Sequence, residues 1–217
     1  MKKHIVCFGD SNTHGYFPVE GGCGRFNENE RWTCLLQKRL GEDYLVIEEG
    51  LNGRTTCFED PLEEGLCGLT HMYTCLMTHE PVSLLIIMLG TNDAKERFGS
   101  NAACIALGMK RLIQKAQSVK DCWAEEKPNI LLITPQNMDE RYIDSPFTGS
   151  MGRGCAQKTR ELAAEYKIVA ELTGCAYLDA NQIATDGPNT IDYMHLTKKD
   201  HYLMAEAISK KILELGI

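Results

Sequence analysis

No apolar stretch in this sequence is long enough to cross a bilayer. The longest, Leu84 to Leu89, is a fraction of the roughly 20 residues a spanning helix needs. A cleavable leader is not expected either, since Met1-Lys2-Lys3-His4 runs through a short strand-like segment straight to Asp10, and the cytoplasm is the expected location. No stripe of Lys and Arg offers itself to a phosphate backbone: 23 basic against 30 acidic residues leave a net charge of -7, which argues against a nucleic-acid partner. The ten cysteines contain no C-x-x-C pair, and no histidine stands at zinc-ligand spacing from a cysteine pair. Neither a structural zinc nor any cofactor is expected. Without an export signal, and scattered over strand-like and helix-like segments, the cysteines read as free thiols. Internal repeats and linkers rich in Pro, Gly or Ser are missing as well. With 217 residues, 43% of them hydrophobic, the expectation is one domain over residues 1–217.

What is present is an alternation. Apolar runs at His4 to Phe8, Tyr44 to Glu48, Val82 to Leu89, Asn129 to Thr134 and Cys175 to Leu178 read as strands. Helical spacing lies between them. Arg31 to Leu40 puts Trp32, Leu35, Leu36 and Leu40 on one face and stops at Gly41. Cys104 to Val119 does the same with Leu107, Leu112 and Ala116. Leu162 to Leu172 follows, then Tyr202 to Leu215 with Leu203, Ala207, Ile208 and Leu215. Parallel strands need a right-handed crossover between them, so the pattern predicts an α/β fold: a three-layer α/β/α sandwich on a mainly parallel sheet. Two stretches break the alternation and read either as lining of a pocket mouth or as mobile surface loops. One is Phe17 to Asn27; the other is Gln136 to Gly154, with exposed-looking Tyr142 and Phe147.

Four polar clusters each follow an expected strand: Asp10-Ser11-Asn12; Gly50 to Thr56; Gly90-Thr91-Asn92-Asp93; and Asp192-Tyr193-Met194-His195. In a parallel sheet the strand ends of one sense share one edge, so these clusters can converge. The residue types suit acyl transfer by a serine. A serine hydroxyl needs a base to take its proton, and an imidazole titrating near neutrality suits the task. His195 is the candidate base for Ser11. Asp192, three residues earlier, can fix the imidazole tautomer, and the Thr197 to Asp200 segment reads as an N-cap anchoring that loop to the last helix. Donors for an oxyanion are available from the backbone N–H groups of Ser11 and Gly53 and the side-chain amide of Asn92. The other histidines compete less well: His4 opens a strand, His71 and His79 have no acid partner at a strand end, His201 falls inside a helix, and His14 is a pocket wall.

In this order the blocks resemble those of the SGNH hydrolases, the GDSL family of esterases and lipases: Gly9-Asp10-Ser11-Asn12, then Gly53, then Gly90-Thr91-Asn92-Asp93, then Asp192-Tyr193-Met194-His195. They span residues 9 to 195. The resemblance implies a flavodoxin-like sheet of five strands, Ser11, His195 and Asp192 as catalytic triad, and Ser11, Gly53 and Asn92 as oxyanion hole. Arg31-Trp32, Glu48 to Leu51, Arg54-Thr55-Thr56 and Ile86 to Asp93 look like the bacterial arylesterase and acyltransferase branch. That likeness implies small esters as substrates, acyl transfer to alcohols or peroxide beside hydrolysis, and a homo-oligomer. The chain departs from the pattern at Asn12, where the family's name-giving block has Leu, and at His14, where the branch often has Trp. Both make the entrance more polar. Expected substrate contacts are Asn12, His14, Arg54, Phe147 and Met194. A carbohydrate O-acetylesterase would use the same triad.

Three rival readings are weaker. An α/β-hydrolase needs Gly-x-Ser-x-Gly, and Thr13 stands at the fifth position. A metal-dependent phosphoesterase needs several convergent ligands, and no Asp-x-His occurs. A nucleotide- or sugar-binding module would need a complete glycine fingerprint, which Gly22-Cys23-Gly24 and Gly152-Arg153-Gly154 are not.

Overall fold

The computed structural model describes residues 1–217. The chain opens with strand β1 (Lys3–Gly9), a single helical turn α1 (Ser11–His14) and a hairpin of β2 (Tyr16–Val19) and β3 (Gly22–Arg25). Helix α2 (Trp32–Leu40), strand β4 (Tyr44–Gly50), helix α3 (Gly68–Thr78) and strand β5 (Val82–Met88) follow. The second half alternates α4 (Ala102–Ser118), β6 (Ile130–Thr134), the short α5 (Thr148–Met151), α6 (Cys155–Thr173), β7 (Ala176–Asp179) and α7 (Lys198–Glu214). Five strands form one parallel sheet in the order β4-β1-β5-β6-β7, so the α/β/α sandwich holds.

Side chains alternate across that sheet with the period of two that a strand imposes. Val6, Phe8, Leu85, Ile87 and Leu132 face a core closed by α3, α4 and α6, with Met72, Met109, Leu112, Leu162 and Tyr166. Ile5, Cys7, Leu84, Ile86, Leu131 and Ile133 face a smaller core closed by α2 and α7, with Trp32, Leu36, Met204, Ile208 and Ile212. Strands buried on both faces must be apolar throughout, which is why β1, β5 and β6 read as continuous runs.

The strand order positions the site. From β1 the chain runs to β4 at one edge and returns to β5 on the other side of β1. The crevice between the carboxyl ends of β1 and β5 is therefore the switch point where open sheets bind ligands.

Several details differ from the sequence reading. Helix α3, unforeseen, supplies the crossover that two parallel strands require. Within the Phe17 to Asn27 stretch lies part of the β2–β3 hairpin, turned by Gly21 at φ 79°. The Gln136 to Gly154 stretch holds a 3-10 helix at Glu140–Asp144 as well as α5. Tyr142 is buried, its hydroxyl donating to the Gly152 carbonyl at 2.8 Å and accepting from the Cys155 N–H at 3.1 Å. In α4 the buried stripe runs through Ile105, Met109, Leu112 and Ala116, and Leu107 points outward. In α7 it runs through His201, Met204, Ala205, Ile208 and Ile212, leaving Leu215 exposed. No helix is long and apolar enough to cross a membrane.

Candidate active site

Strand β1 ends against a one-turn helix, and the junction is tight. A Cβ on Gly9 would collide with the Thr13 hydroxyl, so only glycine lets α1 fold back on the strand end. Asp10 caps that turn, its carboxylate accepting from the Asn12 N–H at 3.0 Å. Ser11 is thereby held as the first residue of α1, 9% exposed.

The Ser11 hydroxyl lies 2.8 Å from Nε2 of His195, whose Nδ1 lies 2.6 Å from the Asp192 carboxylate. The second oxygen of Asp192 is fully employed: it accepts from the Asn189 amide at 2.7 Å, Met194 N–H at 3.0 Å and His195 N–H at 3.1 Å. Burial pushes the Asp192 carboxyl up, but the His195 bond and charge and these backbone donors outweigh it and hold the group below the ordinary carboxylate value. It is an anion at neutral pH. Tyr193, inside the same loop, stands at φ 61°, a conformation costly for a non-glycine residue. Backbone bonds on both sides, Tyr193 N–H to Asn189 and Asp139 N–H to the Tyr193 carbonyl, keep it there. Beyond the loop Thr197 caps α7, accepting from the Asp200 N–H at 3.2 Å.

Asn12 ties the two halves together and is not a cavity residue. Its amide oxygen accepts from the Leu196 N–H at 2.9 Å and its carbonyl from the Trp32 indole at 3.1 Å. The serine turn and the histidine loop are thus cross-linked through one buried side chain. A hydrocarbon side chain there would leave the Leu196 donor unmatched, which accounts for a polar residue at this position.

Asn92 opens a 3-10 turn after β5, and its amide donates to the Arg54 carbonyl at 3.2 Å. Gly53 sits at φ 83°, with Leu66 so close that a Cβ would lie 2.9 Å from it. Ser11, Gly53, Asn92 and His195 line one cavity of about 190 Å³. Its remaining wall has two characters. Tyr16, Phe147, Met151 and Met194 make one side apolar, with the Tyr16 ring 4.5 Å and the Phe147 ring 6.3 Å from the His195 ring. Asn52, Glu63, Lys95 and Ser150 are the cavity's polar lining. Burial, reinforced by the charge of Arg97, lowers the Lys95 ammonium below its ordinary value, and Asp60 at 3.4 Å offsets part of this.

Of the expected substrate contacts, Phe147 and Met194 line this cavity; Asn12, His14 and Arg54 do not. His14 packs against the Gly50 backbone, with its carbonyl taken by Arg25 at 2.7 Å. Arg54 is buried beneath the site. Its guanidinium stacks 4.1 Å over the Phe8 ring and donates to the carbonyls of Gly9 and Glu49, bracing the end of β1. Tyr16, Lys95 and Met151 were not singled out from the sequence. Tyr16 arrives on the hairpin and Met151 on α5, elements that the strand–helix alternation does not announce. The two buried acids beside the site, Asp10 and Asp93, are each pushed up to about 6 by burial, against the hydrogen bonds from Asn12 and Thr56 respectively. Each keeps one carboxylate oxygen without a partner.

A buried hydroxyl–imidazole–carboxylate chain beside clustered amide donors can deliver an alkoxide to a carbonyl carbon and stabilise the oxyanion that results. The one grouping of three metal-ligating side chains, Glu49, Cys75 and His79, lies elsewhere. His79 does have an acid partner, contrary to the sequence reading: its Nε2 is 2.7 Å from Glu49, near the end of β4.

A model of the GDSL-like lipase/acylhydrolase family matches residues 7–201. Among solved structures, the aryl esterase of M. smegmatis is similar at 35% identity over 98% of this chain and 99% of its own, with a TM-score of 0.90. A carbohydrate acetylesterase from Sinorhizobium meliloti is similar at 32% identity over 99% and 100%, also with a TM-score of 0.90. A lipase/acylhydrolase from Enterococcus faecalis, at 21% identity and a TM-score of 0.70 over 97% and 95%, shares the fold. Among curated proteins none matches.

Proposed function

Because this chain belongs to the GDSL-like lipase/acylhydrolase family and is a carboxylic ester hydrolase, we propose that Ser11 is its nucleophile, His195 its general base and acid, and Asp192 the carboxylate that orients and charges the imidazole. The observation that carries this reading is the continuous buried relay, 2.8 Å from Ser11 to His195 and 2.6 Å from His195 to Asp192.

In the first step the Ser11 hydroxyl gives its proton to His195 Nε2 as the oxygen bonds to the ester carbonyl carbon. Negative charge moves to the carbonyl oxygen, toward the Ser11 and Gly53 N–H groups and the Asn92 amide. His195 then protonates the departing alkoxide, leaving an acyl-Ser11. Water, or a second alcohol, loses a proton to His195 as it attacks that acyl group, and His195 returns that proton to the Ser11 oxygen as the acyl–Ser11 bond breaks, releasing the acid or new ester. Asp192 stays ionised throughout and holds the Nδ1 proton in place.

A cavity of about 190 Å³ falls below the roughly 300 Å³ at which drug-sized sites begin, which favours a short acyl group such as acetyl. The apolar side with Tyr16, Phe147, Met151 and Met194 suits an aryl or alkyl alcohol portion. It also supports acyl transfer to an added alcohol, because an apolar acceptor can be held against the acyl-enzyme where bulk water is not. The second reading, a carbohydrate acetylesterase, is favoured by the polar lining, in which Asn52, Glu63, Lys95 and Ser150 match a ring bearing hydroxyls.

A panel of aryl acetates, longer aryl esters and acetylated sugars tests the reading, with Ser11→Ala as control and an alcohol as competing acceptor. The wild type is expected to show a burst of aryl product equal to one acyl group per chain, and Ser11→Ala none. An undiminished rate in Ser11→Ala would sink the serine mechanism. Turnover confined to acetylated sugars would select the carbohydrate reading.

A further inference from the structure

Where the end of α3 meets β4, next to Arg54, three side chains with nitrogen, sulfur and oxygen donors meet. Cys75 and His79 stand four residues apart at the end of α3, so the helix sets both on one face. Glu49, next to last in β4, closes the group from the sheet. One ligand atom from each lies within 4.8 Å of the other two, and Glu49 Oε1 is 2.7 Å from His79 Nε2. The helix end is itself held, since the His4 ring Nδ1 lies 2.8 Å from the His79 carbonyl.

We infer that Glu49, Cys75 and His79 form a binding site for a borderline-soft divalent cation of the zinc class. Donor chemistry selects the metal: magnesium and calcium take oxygen ligands, whereas one thiolate, one imidazole and one carboxylate suit zinc or cobalt. Tetrahedral zinc bonded at about 2.0–2.3 Å spaces its donors about 3.4–3.6 Å apart, which side-chain rotation reaches from the observed positions. Burial is graded in the right sense. Cys75 is buried in the core, while Glu49 and His79 are half-buried and leave a solvent side for a water as fourth ligand.

Two features oppose the cation and are met by the same geometry. The Arg54 guanidinium stands 3.9 Å from Glu49, but on Oε2, leaving Oε1 for the metal. Burial, with Glu49 nearby, pushes the Cys75 thiol up to about 12, so binding must expel its proton. The balance is therefore one proton, from Cys75, released per ion bound.

The test is titration of the chelator-treated full-length protein with Zn²⁺ by calorimetry in buffers of different ionisation heat, and with Co²⁺ by absorption. One Zn²⁺ per chain is expected at micromolar affinity or tighter, with one proton released, and the Co²⁺ form should show a thiolate charge-transfer band in the near ultraviolet. Cys75→Ser and His79→Gln should each weaken Zn²⁺ binding at least ten-fold, and Cys75→Ser should abolish the band. Both should keep wild-type ester hydrolysis, which shows that they fold. Zinc affinity unaltered in both folded variants, or a thiolate band surviving Cys75→Ser, would place the ion on another of the ten cysteines and overturn the assignment. So would the absence of stoichiometric binding to the wild type.

Discussion

The two walls of the cavity at Ser11 are built differently. The wall carrying Ser11, Asn92 and His195 hangs from the sheet: each residue follows directly on a buried strand or precedes a capped helix, and Asn12 fastens the serine turn to the histidine loop. The facing wall, with Tyr16, Phe147, Ser150 and Met151, is carried by a two-stranded hairpin and a four-residue helix. The hairpin pairs only with itself, outside the five-stranded sheet, and α5 reaches the main core through Met151 alone. Positions on the first wall are fixed by backbone geometry that the whole core determines, so changes there should strike the chemical step. Those on the second are fixed by local contacts, and changes there should alter which ester is preferred.

The sharpest break of this contrast is Asp192→Asn. The asparagine would retain the backbone donors but present an N–H to His195 Nδ1, favouring the wrong tautomer, and kcat is expected to fall by about 10⁴ with KM little changed. Steady-state kinetics on a short-acyl aryl ester measures it, and a rate within ten-fold of wild type would remove Asp192 from the proposed triad. Asn92→Ala comes next. Loss of one proposed oxyanion donor should lower kcat by about 10² to 10³, again without a matching change in KM. A rise in KM alone would mean that the amide binds substrate in the ground state.

The support behind this wall can be probed through stability. His201, on α7, is buried; its Nδ1 accepts the Trp32 N–H at 3.2 Å and its Nε2 has no partner. Burial, then the charges of His195 and Arg31, lower it from the ordinary 6.5 to about 3. Above pH 6.5 the ring is neutral folded and unfolded, and nothing is lost. As pH falls below 6.5 the unfolded chain takes up a proton that the folded chain refuses, so stability declines until about pH 3. At pH 5 this amounts to about 2 kcal/mol. His201→Asn can keep an acceptor for Trp32 and should lose about 2 kcal/mol less than wild type between pH 7.5 and pH 5 in denaturant unfolding. Equal losses would show that His201 is already charged in the fold.

The same contrast governs what the sequence reveals. Strands buried on both faces leave unbroken apolar runs, so β1, β5 and β6 are visible, and with them the polar clusters at their ends. Helix α3 is harder to see because its thread of Met72, Cys75 and Leu76 is interrupted by threonines and aromatics of modest helix propensity. Topology could have demanded it, since β4 and β5 are parallel and need a crossover. The hairpin could have been read from Glu20-Gly21 between two four-residue strands. Arg54 misleads for another reason. A charged residue beside Gly53 suggests substrate, yet the guanidinium is spent on the Phe8 ring and two carbonyls, and only the folded geometry tells a brace from a contact. The Glu49–His79 pair is equally invisible in one dimension, being 30 residues apart.

The smallest expected effect lies on the second wall. Phe147 is half-buried, meets the Tyr16 ring edge-on at 6.2 Å and faces His195, so it covers the apolar side of the cavity without touching the relay. Truncation to alanine removes that cover while the relay distances stay set by the sheet. Phe147→Ala should therefore lower kcat on a phenyl acetate by no more than a few-fold. Its kcat/KM for the acetate of a bulkier aryl alcohol should rise relative to phenyl acetate by about ten-fold, the worth of roughly one or two methylenes in a pocket. If acyl transfer depends on the apolar side, the fraction of acyl group captured by an added alcohol should drop in the same variant, because water gains access to acyl-Ser11. Comparing the two esters and the two acceptors on one variant separates the walls. A kcat loss near that of Asn92→Ala, with the preference between the two esters unchanged, would mean that Phe147 helps to hold His195 and that the cavity is a single rigid unit rather than two.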